Sequence, residues 1–298
     1  MNSGYKQKFD VVIFGNYTKD TIKTRFDTKH VDGGGFNYGA HALRVLGLRV
    51  AAVTRLARKD SHIVDKLQKI GVHVFPHYTS QSTHMLLDYP SDNPDERILV
   101  CSQTAGAYTI DQFSNLEAKA FLINASVREE VPLEVVQMLS KKDGLLVADA
   151  QGFVRIRNSD GQLVHATWPN MKRVLKYINV LKADIVEAES LTGLSEIRAA
   201  ALRLSEFGPE EVVLTHRNGI LVLAEGEFYE KQFHPLKEVG RSGRGDTCIA
   251  SYMAKRLFAP PEEAIKWSAA VTSLKLEREG PILRSLADVQ KLVDEKYK

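Results

Sequence analysis

Apolar residues follow two alternating patterns over the first quarter of the chain. The runs "FDVVIFG" (9–15) and "RVAAVTRLA" (49–57) are apolar and β-branched, as buried strands are. By contrast, "FNYGAHALRVLG" (36–47) and "DSHIVDKLQKIG" (60–71) carry apolar residues at helical spacing and end in glycine, a common helix exit. "VHVFP" (72–76) predicts a third strand. This alternation of strands and helices is typical of a mostly parallel sheet covered by helices.

Two insertions interrupt this alternation. "STHMLLDY" (82–89) and "RILVCS" (97–102) are alternating strand patterns on either side of the turn-rich "PSDNPDE", which predicts a hairpin. "TIKTRFDTKHV" (21–31) predicts a similar short, polar-faced strand. We expect the two insertions, at about residues 18–31 and 80–103, to form a small β-sheet, here called the lid, that folds over one side of the main domain and excludes water from a bound ligand.

The alternation resumes near residue 118. The segments "AKAFLINA", "DGLLVAD", "ADIV" and "EEVVLTH" predict strands, and "PLEVVQMLSKK" and "EIRAAALRLSEFG" predict helices. "GILVLAEGEFYEKQF" predicts a second hairpin, and "EEAIKWSAAVTSLKLEREG" the longest of the C-terminal helices. No repeat or linker interrupts the chain. The sequence therefore predicts one α/β domain over residues 1–298, with helices on both faces of the sheet and the β lid.

Composition and charge narrow the range of functions. The 298 residues are 44% hydrophobic, enough for a large core, and the net charge of +3 gives no case for binding nucleic acid or an acidic membrane. No apolar run could span a bilayer, and the first residues lack the apolar core of a secretion signal, so we expect a cytoplasmic protein. Cys101 and Cys248 have no metal-site spacing and are expected to be buried free thiols.

Several common catalytic motifs are absent from the sequence. It contains no Gly-x4-Gly-Lys-Ser/Thr loop, and "DGGGFNYG" (32–39) lacks the third glycine of a dinucleotide fingerprint. Neither a His/Glu zinc cluster nor a Gly-x-Ser-x-Gly elbow occurs. A P-loop nucleoside triphosphatase, a Rossmann dehydrogenase, a zinc enzyme and a serine hydrolase are therefore all disfavoured.

The stretch "GRSGRGDTCIASYMAKRL" (240–257) joins a glycine-rich loop to a helix, with Asp246 where the helix begins. Glycines leave backbone amides open to close approach, and a helix N-terminus suits an anion such as phosphate. Glycine and aspartate are also ordinary residues at a helix start, so this stretch alone leaves both interpretations open.

Three motifs together resemble the ribokinase family of carbohydrate kinases, also called the phosphofructokinase B family. "FGNYTKD" (14–20) is similar to its first strand and substrate-binding Asp, "GGGFNYGAHALRVLG" (33–47) to its Gly-Gly motif and helix, and "GRSGRGDTCIASY" (240–252) to its Gly-Ala-Gly-Asp signature. The resemblance covers nearly the whole chain. It implies a ribokinase-like fold and ATP-dependent phosphorylation, with Mg²⁺, of a hydroxyl on a sugar or an inositol-like polyol. "GRSGRGDT" and "SLKLEREGP" look like the inositol-kinase-like branch.

The resemblance also assigns roles to individual residues. It implies that Gly243, Arg244 and Gly245 form an anion hole for the transferring phosphoryl group and that Asp246 accepts the proton of the acceptor hydroxyl. The acceptor pocket would contain Asp20, Gly33, Gly34, Tyr38, Gln151 and Arg155. The donor side would contain Arg241, Thr215 and Gly219 for the nucleotide, and Asp184 and Glu187 for Mg²⁺, with Glu189 as a competitor.

Departures from the family pattern leave alternatives open. Gly240 and Arg241 stand where most relatives have Asp-Thr, Arg244 stands in the place of Ala, and Tyr38 in the place of Asn. Each arginine could contact donor phosphates or be a solvated surface residue. A nucleoside kinase of the same family and an inactive small-molecule-binding regulator are the alternative functions, and the retained Asp246 argues against the regulator. A homodimer formed through the lid is also possible on this pattern.

Overall fold

The computed structural model describes residues 7–91 and 97–297, and its strands and helices follow the apolar pattern. The strands are β1 Gln7–Phe14, β2 Thr18–Lys23, β3 Thr28–Gly33, β4 Val50–Ala57, β5 His73–Thr79, β6 Thr83–Asp88, β7 Ile98–Gln103, β8 Leu116–Ile123, β9 Leu145–Asp149, β10 Arg155–Arg157, β11 Leu163–His165, β12 Val180–Asp184, β13 Glu211–His216, β14 Gly219–Ala224 and β15 Glu227–Gln232. The α-helices are α1 Gly35–Val45, α2 His62–Lys69, α3 Leu133–Leu139, α4 Gln151–Val154, α5 Met171–Leu175, α6 Ile185–Thr192, α7 Ile197–Ser205, α8 Arg244–Arg256, α9 Pro261–Leu276 and α10 Leu286–Lys296.

The main sheet has nine strands in the order β15-β14-β13-β12-β9-β8-β1-β4-β5. The strands from β13 to β5 pair in parallel, and β14 and β15 add an antiparallel hairpin at one edge. This confirms the mostly parallel α/β sheet that the alternation of strands and helices predicts. The organisation of residues 1–298 as a single domain stays a prediction.

Helices cover both faces of the sheet because both faces of its strands are apolar. Along β1, Val11 and Ile13 pack into one core with α1, α2, α8, α9 and α10, while Val12 and Phe14 pack into the other with α3 to α7. Cys248 lies in the first of these cores, and both cysteines are buried and free, as expected. Among the described helices, none is long and apolar enough to cross a membrane.

The two insertions form a separate four-stranded sheet in the order β3-β2-β6-β7, which confirms the small β-sheet. The first insertion is a hairpin of two strands, β2 and β3, where the sequence predicted one. Its turn is closed by the Thr24 hydroxyl, which accepts hydrogen bonds from the amides of Phe26 and Asp27. The second insertion is the predicted antiparallel pair β6 and β7, and the turn of that hairpin, residues 92–96, lies outside the described residues.

Two local features differ from the sequence prediction. The strand predicted at "ADIV" ends at Asp184, because the Asp184 side chain accepts the Glu187 amide and Glu187 accepts the Asp184 amide, a reciprocal cap that starts α6 at Ile185. A short hairpin of β10 and β11 also follows α4, and it meets the lid strand β7 through a bridge between Val100 and Gln162. A strand of three residues is too short to show an alternation of apolar and polar residues, so the sequence does not predict this hairpin.

Candidate active site

Polar residues gather where the parallel strands of the main sheet end. β9 ends at Asp149, β12 at Asp184, and Asn124 follows directly after β8. The carboxyl ends of parallel strands lie at one edge of a sheet, which is where open α/β sheets bind ligands. Thr215 of β13 pairs with Asp184 at the same edge, so this residue of the expected nucleotide side lies beside the expected metal pair.

Residues 240–246, here called the anion loop, comprise the segment before α8 and the first three residues of that helix, and they lie at this edge. Gly243 is the helix N-cap and has a left-handed backbone, with φ of +79°. The Arg244 amide donates to the Arg241 carbonyl at 3.1 Å and closes the turn. The first amides of a helix have no acceptor within it and carry the positive end of its dipole, so Gly245 and Asp246 lie where an anion is favoured.

Glycine is required at two positions of the anion loop. A Cβ on Gly243 would lie 2.1 Å from Cδ1 of Tyr38, and a Cβ on Gly245 would lie 2.6 Å from Nζ of Lys182. The Tyr38 ring and the Lys182 ammonium therefore lie directly against the loop. Lys182 thus places a positive charge beside the predicted anion hole.

Asp246 lies in the first turn of α8, among polar side chains from several strands. Gln151, at the start of α4, donates from Nε2 to Oδ1 of Asp246 over 3.1 Å. Burial raises the pKa of Asp246, while the charges of Lys182 and Arg155 oppose that rise. A general base is most effective when its pKa lies near the working pH, so a carboxyl group with a raised pKa suits this role.

A buried network of charges lies beside Asp246. Lys182 Nζ is 3.0 Å from Oδ2 of Asp149 and 3.9 Å from Oε2 of Glu187, and Arg155 Nη2 donates to Oε1 of Glu187 over 3.0 Å. Burial alone would lower the pKa of Lys182, but the charges of Asp149 and Glu187 raise it above its usual range. The two carboxylates therefore favour the charged form of Lys182.

Asp184 and Glu187, the expected magnesium pair, are engaged with each other and with their neighbours. Both oxygens of Glu187 have donors, since Oε1 accepts from Arg155 and Oε2 from the Asp184 amide. Glu187 is fully buried and Glu189 is exposed on α6. As arranged, this pair does not offer Glu187 as a direct magnesium ligand, and within the described residues no cluster of three or more His, Cys, Asp or Glu side chains could hold a metal.

The acceptor residues predicted from the lid and from α1 lie close together. A Cβ on Gly33 would be 2.0 Å from Oδ2 of Asp20, so the carboxylate packs directly beneath the loop that Gly33 and Gly34 form. Oδ1 of Asp20 is buried without a hydrogen-bond partner. The pKa of Asp20 is raised to about 7, chiefly because the carboxyl group is buried; a hydrogen bond with Thr18 opposes this rise and the charge of Asp246 adds to it.

Asn124 lies between the acceptor residues and Asp246. A Cβ on Gly35 would be 2.6 Å from Oδ1 of Asn124 and 2.6 Å from Oδ1 of Asp246, so the two side chains border the same space. Asn124 is fully buried, and neither Oδ1 nor Nδ2 has a hydrogen-bond partner. Buried amides are normally satisfied, so this one is placed to receive a ligand hydroxyl or a water molecule.

On the donor side, Arg244 crosses the surface that the sequence assigns to a nucleotide. Its Nη1 donates to the carbonyl of Arg217, at the turn between β13 and β14, over 3.4 Å. Gly219 begins β14 beyond that turn and pairs with His216. Arg241 forms an ion pair with Glu238 at 2.9 Å.

Residues 10–288 match the model of the pfkB family carbohydrate kinases. The chain belongs to this family. It is therefore a kinase acting on a hydroxyl of a sugar or polyol, which confirms both the recognised resemblance and the predicted enzyme class. None of the curated protein sequences compared with the chain matches it.

Solved structures of several kinases are similar to this chain. It is 31% identical to a pyrophosphate-dependent kinase of the ribokinase family complexed with a pyrophosphate analogue and myo-inositol, with a TM-score of 0.87 over 94% of this chain and 99% of that one. A sulfate complex of a pyrophosphate-dependent kinase in the ribokinase family gives 33% identity and a TM-score of 0.88, over 94% and 99% of the two chains. The ribokinase of Arabidopsis thaliana, complexed with ribose and ATP, shares the fold at 20% identity, with a TM-score of 0.77 over 96% and 99%.

The structure brings together most of the residues that the sequence assigned to this carbohydrate kinase and adds four others. The additional residues are Asn124, Asp149, Lys182 and Lys275, all of them buried. Each is a polar residue within or directly after an apolar run, as in "LLVAD", "VLKAD" and "TSLKL". A charge buried in an apolar element is costly unless it has a partner, so this pattern could have indicated them.

Proposed function

We propose that this kinase phosphorylates a hydroxyl of an inositol-like cyclic polyol, with Asp246 as the general base and the anion loop as the site of the transferring phosphoryl group. One observation carries the proposal. The Asp246 carboxylate lies at the start of α8, held by Gln151, and borders the same space as the unpartnered amide of Asn124. A base, an anion site and a polar acceptor pocket therefore converge there.

The chemistry follows from this arrangement. The acceptor oxygen attacks the terminal phosphorus of the donor while its proton passes to Asp246, and the bond from phosphorus to the leaving phosphate oxygen breaks. Charge spreads over the equatorial phosphoryl oxygens in such transfers, so catalysis is mainly positioning and charge stabilisation. The amides at the start of α8 and the ammonium of Lys182 are fixed before the reaction and can stabilise that charge without reorganising.

A cyclic polyol suits the acceptor side because it presents a hydroxyl at most ring carbons. Asp20 Oδ1 and both amide atoms of Asn124 are buried without partners and can accept from or donate to such hydroxyls. The related structure with 31% identity contains myo-inositol, which supports the same class of acceptor here. A nucleoside is the alternative acceptor, since it also presents vicinal hydroxyls.

For the donor, we propose inorganic pyrophosphate ahead of ATP. The Arg244 side chain spans from α8 to the Arg217 carbonyl, across the side where a nucleoside would extend from the phosphates. A donor of two phosphates leaves the contact between Arg244 and the Arg217 carbonyl in place and can also bind the Arg244 guanidinium. The nucleoside of ATP would have to displace that contact. The similarity to pyrophosphate-dependent kinases supports this order. ATP is the second candidate donor, because Thr215, which the sequence assigns to the nucleotide side, pairs with Asp184 at this edge of the sheet.

Two further parts of the proposal concern Mg²⁺ and the lid. Asp184, the more exposed member of the expected pair, would be the residue of this chain that holds Mg²⁺, and the ion would supply positive charge to the donor phosphates. The lid would fold over the acceptor, because Asp20 belongs to the lid strand β2. The lid is also the surface proposed for a homodimer, and the cytoplasmic location stays a prediction.

A donor and acceptor panel tests the proposal. We expect the purified kinase, with Mg²⁺, to phosphorylate myo-inositol or a close cyclic polyol, and to use pyrophosphate with a higher kcat/KM than ATP.

Replacing Arg244 with alanine should reduce kcat/KM for pyrophosphate by roughly 10-fold or more, because a charge-assisted contact is lost, and should affect ATP less. Lys59→Ala, on the surface, is the control. Phosphoryl transfer only to nucleosides would contradict the polyol as acceptor. A preference for ATP that Arg244→Ala leaves unchanged would contradict pyrophosphate as donor.

We also expect Asp20→Asn to raise KM for the polyol by roughly 10- to 100-fold while leaving the KM of the donor unchanged, because a charged hydrogen bond to a hydroxyl is lost. Since the pKa of Asp20 is raised to about 7, kcat/KM for the polyol should fall as pH drops below 7, and the variant should lose that limb. Asp88→Asn, on lid strand β6 and paired with Lys23, is the matched control. Equal losses for donor and acceptor would place Asp20 outside the acceptor pocket.

A further inference from the structure

Lys275 is a fully buried lysine near the end of α9, and the chemistry above does not use it. Its Nζ donates to the carbonyl of Gly240 over 2.7 Å. Across the described part of the chain, no carboxylate lies within ion-pair distance of this ammonium. Burying a charge costs free energy, and one carbonyl is a modest compensation, so the position calls for an explanation beyond packing.

The carbonyl that Lys275 binds belongs to the first residue of the anion loop. The amides of Val239 and Gly240 both donate to the Leu276 carbonyl, over 2.8 and 3.1 Å. A Cβ on Gly240 would lie 2.4 Å from the carbonyl oxygen of Arg278. The loop entry is therefore fixed against the C-terminal end of α9, and the ammonium is the only charged group in this set of contacts.

The Tyr38 ring also lies near both the ammonium and the glycine at the N-cap of α8. The Nζ of Lys275 is 5.6 Å from the centroid of the Tyr38 ring, and that ring packs against Gly243. Tyr38 and Lys275 therefore contact the anion loop at two points, Gly243 and Gly240. A positive charge at this depth acts through a medium of low dielectric, where it is screened less than a surface charge.

We propose that Lys275 is a positioning residue for the phosphoryl donor. Its ammonium holds the Gly240 carbonyl, and through it the anion loop, in the form that receives a phosphate group, and it adds a positive charge near that group. This inference rests on the proposed function, in which the loop binds the transferring phosphoryl group. Lys275 would therefore support the binding of the phosphoryl donor and not the binding of the polyol.

The charge on Lys275 depends on pH and on its surroundings. Its pKa is lowered to about 8, chiefly because the ammonium is buried; the charges of Arg278 and Arg244 add to this lowering, and those of Asp246 and Glu279 oppose it. The phenol of Tyr38 is the titratable group facing it from α1. In the free enzyme the ammonium is therefore lost as pH rises through about 8, and bound donor phosphate shifts that loss to higher pH.

Stability and donor binding should respond to this loss in opposite directions. Between pH 8 and the ordinary lysine pKa of about 10.4, the unfolded chain holds the proton and the folded one does not. The contribution of Lys275 to the free energy of unfolding therefore rises with pH in that window. Donor binding falls in the same window, so the loss of binding is distinguishable from unfolding.

The test compares Lys275→Met with Lys266→Met, which removes a surface-paired lysine from the same helix. Calorimetry measures binding of inorganic pyrophosphate at pH 7 and pH 9.5, and steady-state kinetics measures kcat and KM for pyrophosphate and myo-inositol across pH. We expect Lys275→Met to weaken pyrophosphate binding at pH 7 by roughly 10- to 100-fold, to leave the KM of the polyol within about twofold, and to lose the alkaline limb near pH 8. Lys266→Met should retain wild-type values.

Each outcome bears on the proposal. If Lys275→Met does not fold, the wild-type enzyme still decides, because its pyrophosphate affinity must fall through about pH 8 while it stays folded. A wild-type affinity that is flat from pH 7 to 9.5, or a folded Lys275→Met that binds pyrophosphate normally, would overturn the inference. If no acceptor is phosphorylated, the proposed function fails, and the binding measurement alone still tests Lys275.

Discussion

Replacing Asp246 with asparagine is expected to leave a folded kinase that binds both substrates but turns over about 10²–10⁴-fold more slowly, the usual contribution of a general base. The amide keeps the shape of the side chain and its contact with Gln151 but cannot take the acceptor proton. Because burial raises the pKa of Asp246, wild-type turnover should also decline with falling pH at values above the ordinary range of an aspartate.

The matched control for this variant is Asp288→Asn. Asp288 occupies the same position in the first turn of α10, where its carboxylate accepts a hydrogen bond from the amide of the N-cap residue Ser285, but it is exposed and remote from the anion loop. The ordinary helix-start interpretation of Asp246 predicts that both variants lose a little stability and little activity. The catalytic interpretation predicts that Asp246→Asn alone loses turnover, with stability maintained or increased because a buried charge is removed. Retention of more than a tenth of wild-type turnover would exclude Asp246 as the base.

Local patterns predict the elements of this fold well, because each buried strand or helix face leaves a period in the sequence. The β1 strand and the α1 helix appear within two residues of their predicted limits. The boundary between β12 and α6 was missed because Asp184 and Glu187 start the helix through side-chain hydrogen bonds, which apolar periodicity does not detect.

The site residues also divide into those that a local sequence motif predicts and those that depend on long-range packing. Asp246, Asp20 and the glycines could be assigned because they belong to recognisable motifs. Lys275 belongs to none, and its role depends on a contact between residues 35 positions apart in the chain. Such long-range partners follow from the packing of α9 against the anion loop, which a single sequence does not reveal.

The largest effect on stability is expected for Lys182→Met. This change removes the ammonium that lies 3.0 Å from Asp149 and leaves that fully buried carboxylate without its ion-pair partner, while Glu187 keeps its pair with Arg155. Breaking a buried pair on one side costs about 3–5 kcal/mol, because an uncompensated charge remains in the core. Urea unfolding of wild type and variant at pH 7 measures the loss. Lys119→Met is the control, since its partner Asp10 is partly exposed and such pairs contribute about 1 kcal/mol or less.

A double variant separates the structural role of Lys182 from its catalytic one. Lys182→Met combined with Asp149→Asn removes both members of the 3.0 Å pair, so it should recover much of the stability lost by Lys182→Met alone. It should not recover turnover, because the positive charge beside Gly245 is still absent. Recovery of turnover along with stability would show that Lys182 serves the fold only. If Lys182→Met is no less stable than Lys119→Met, the buried charge network does not support the core as its distances indicate.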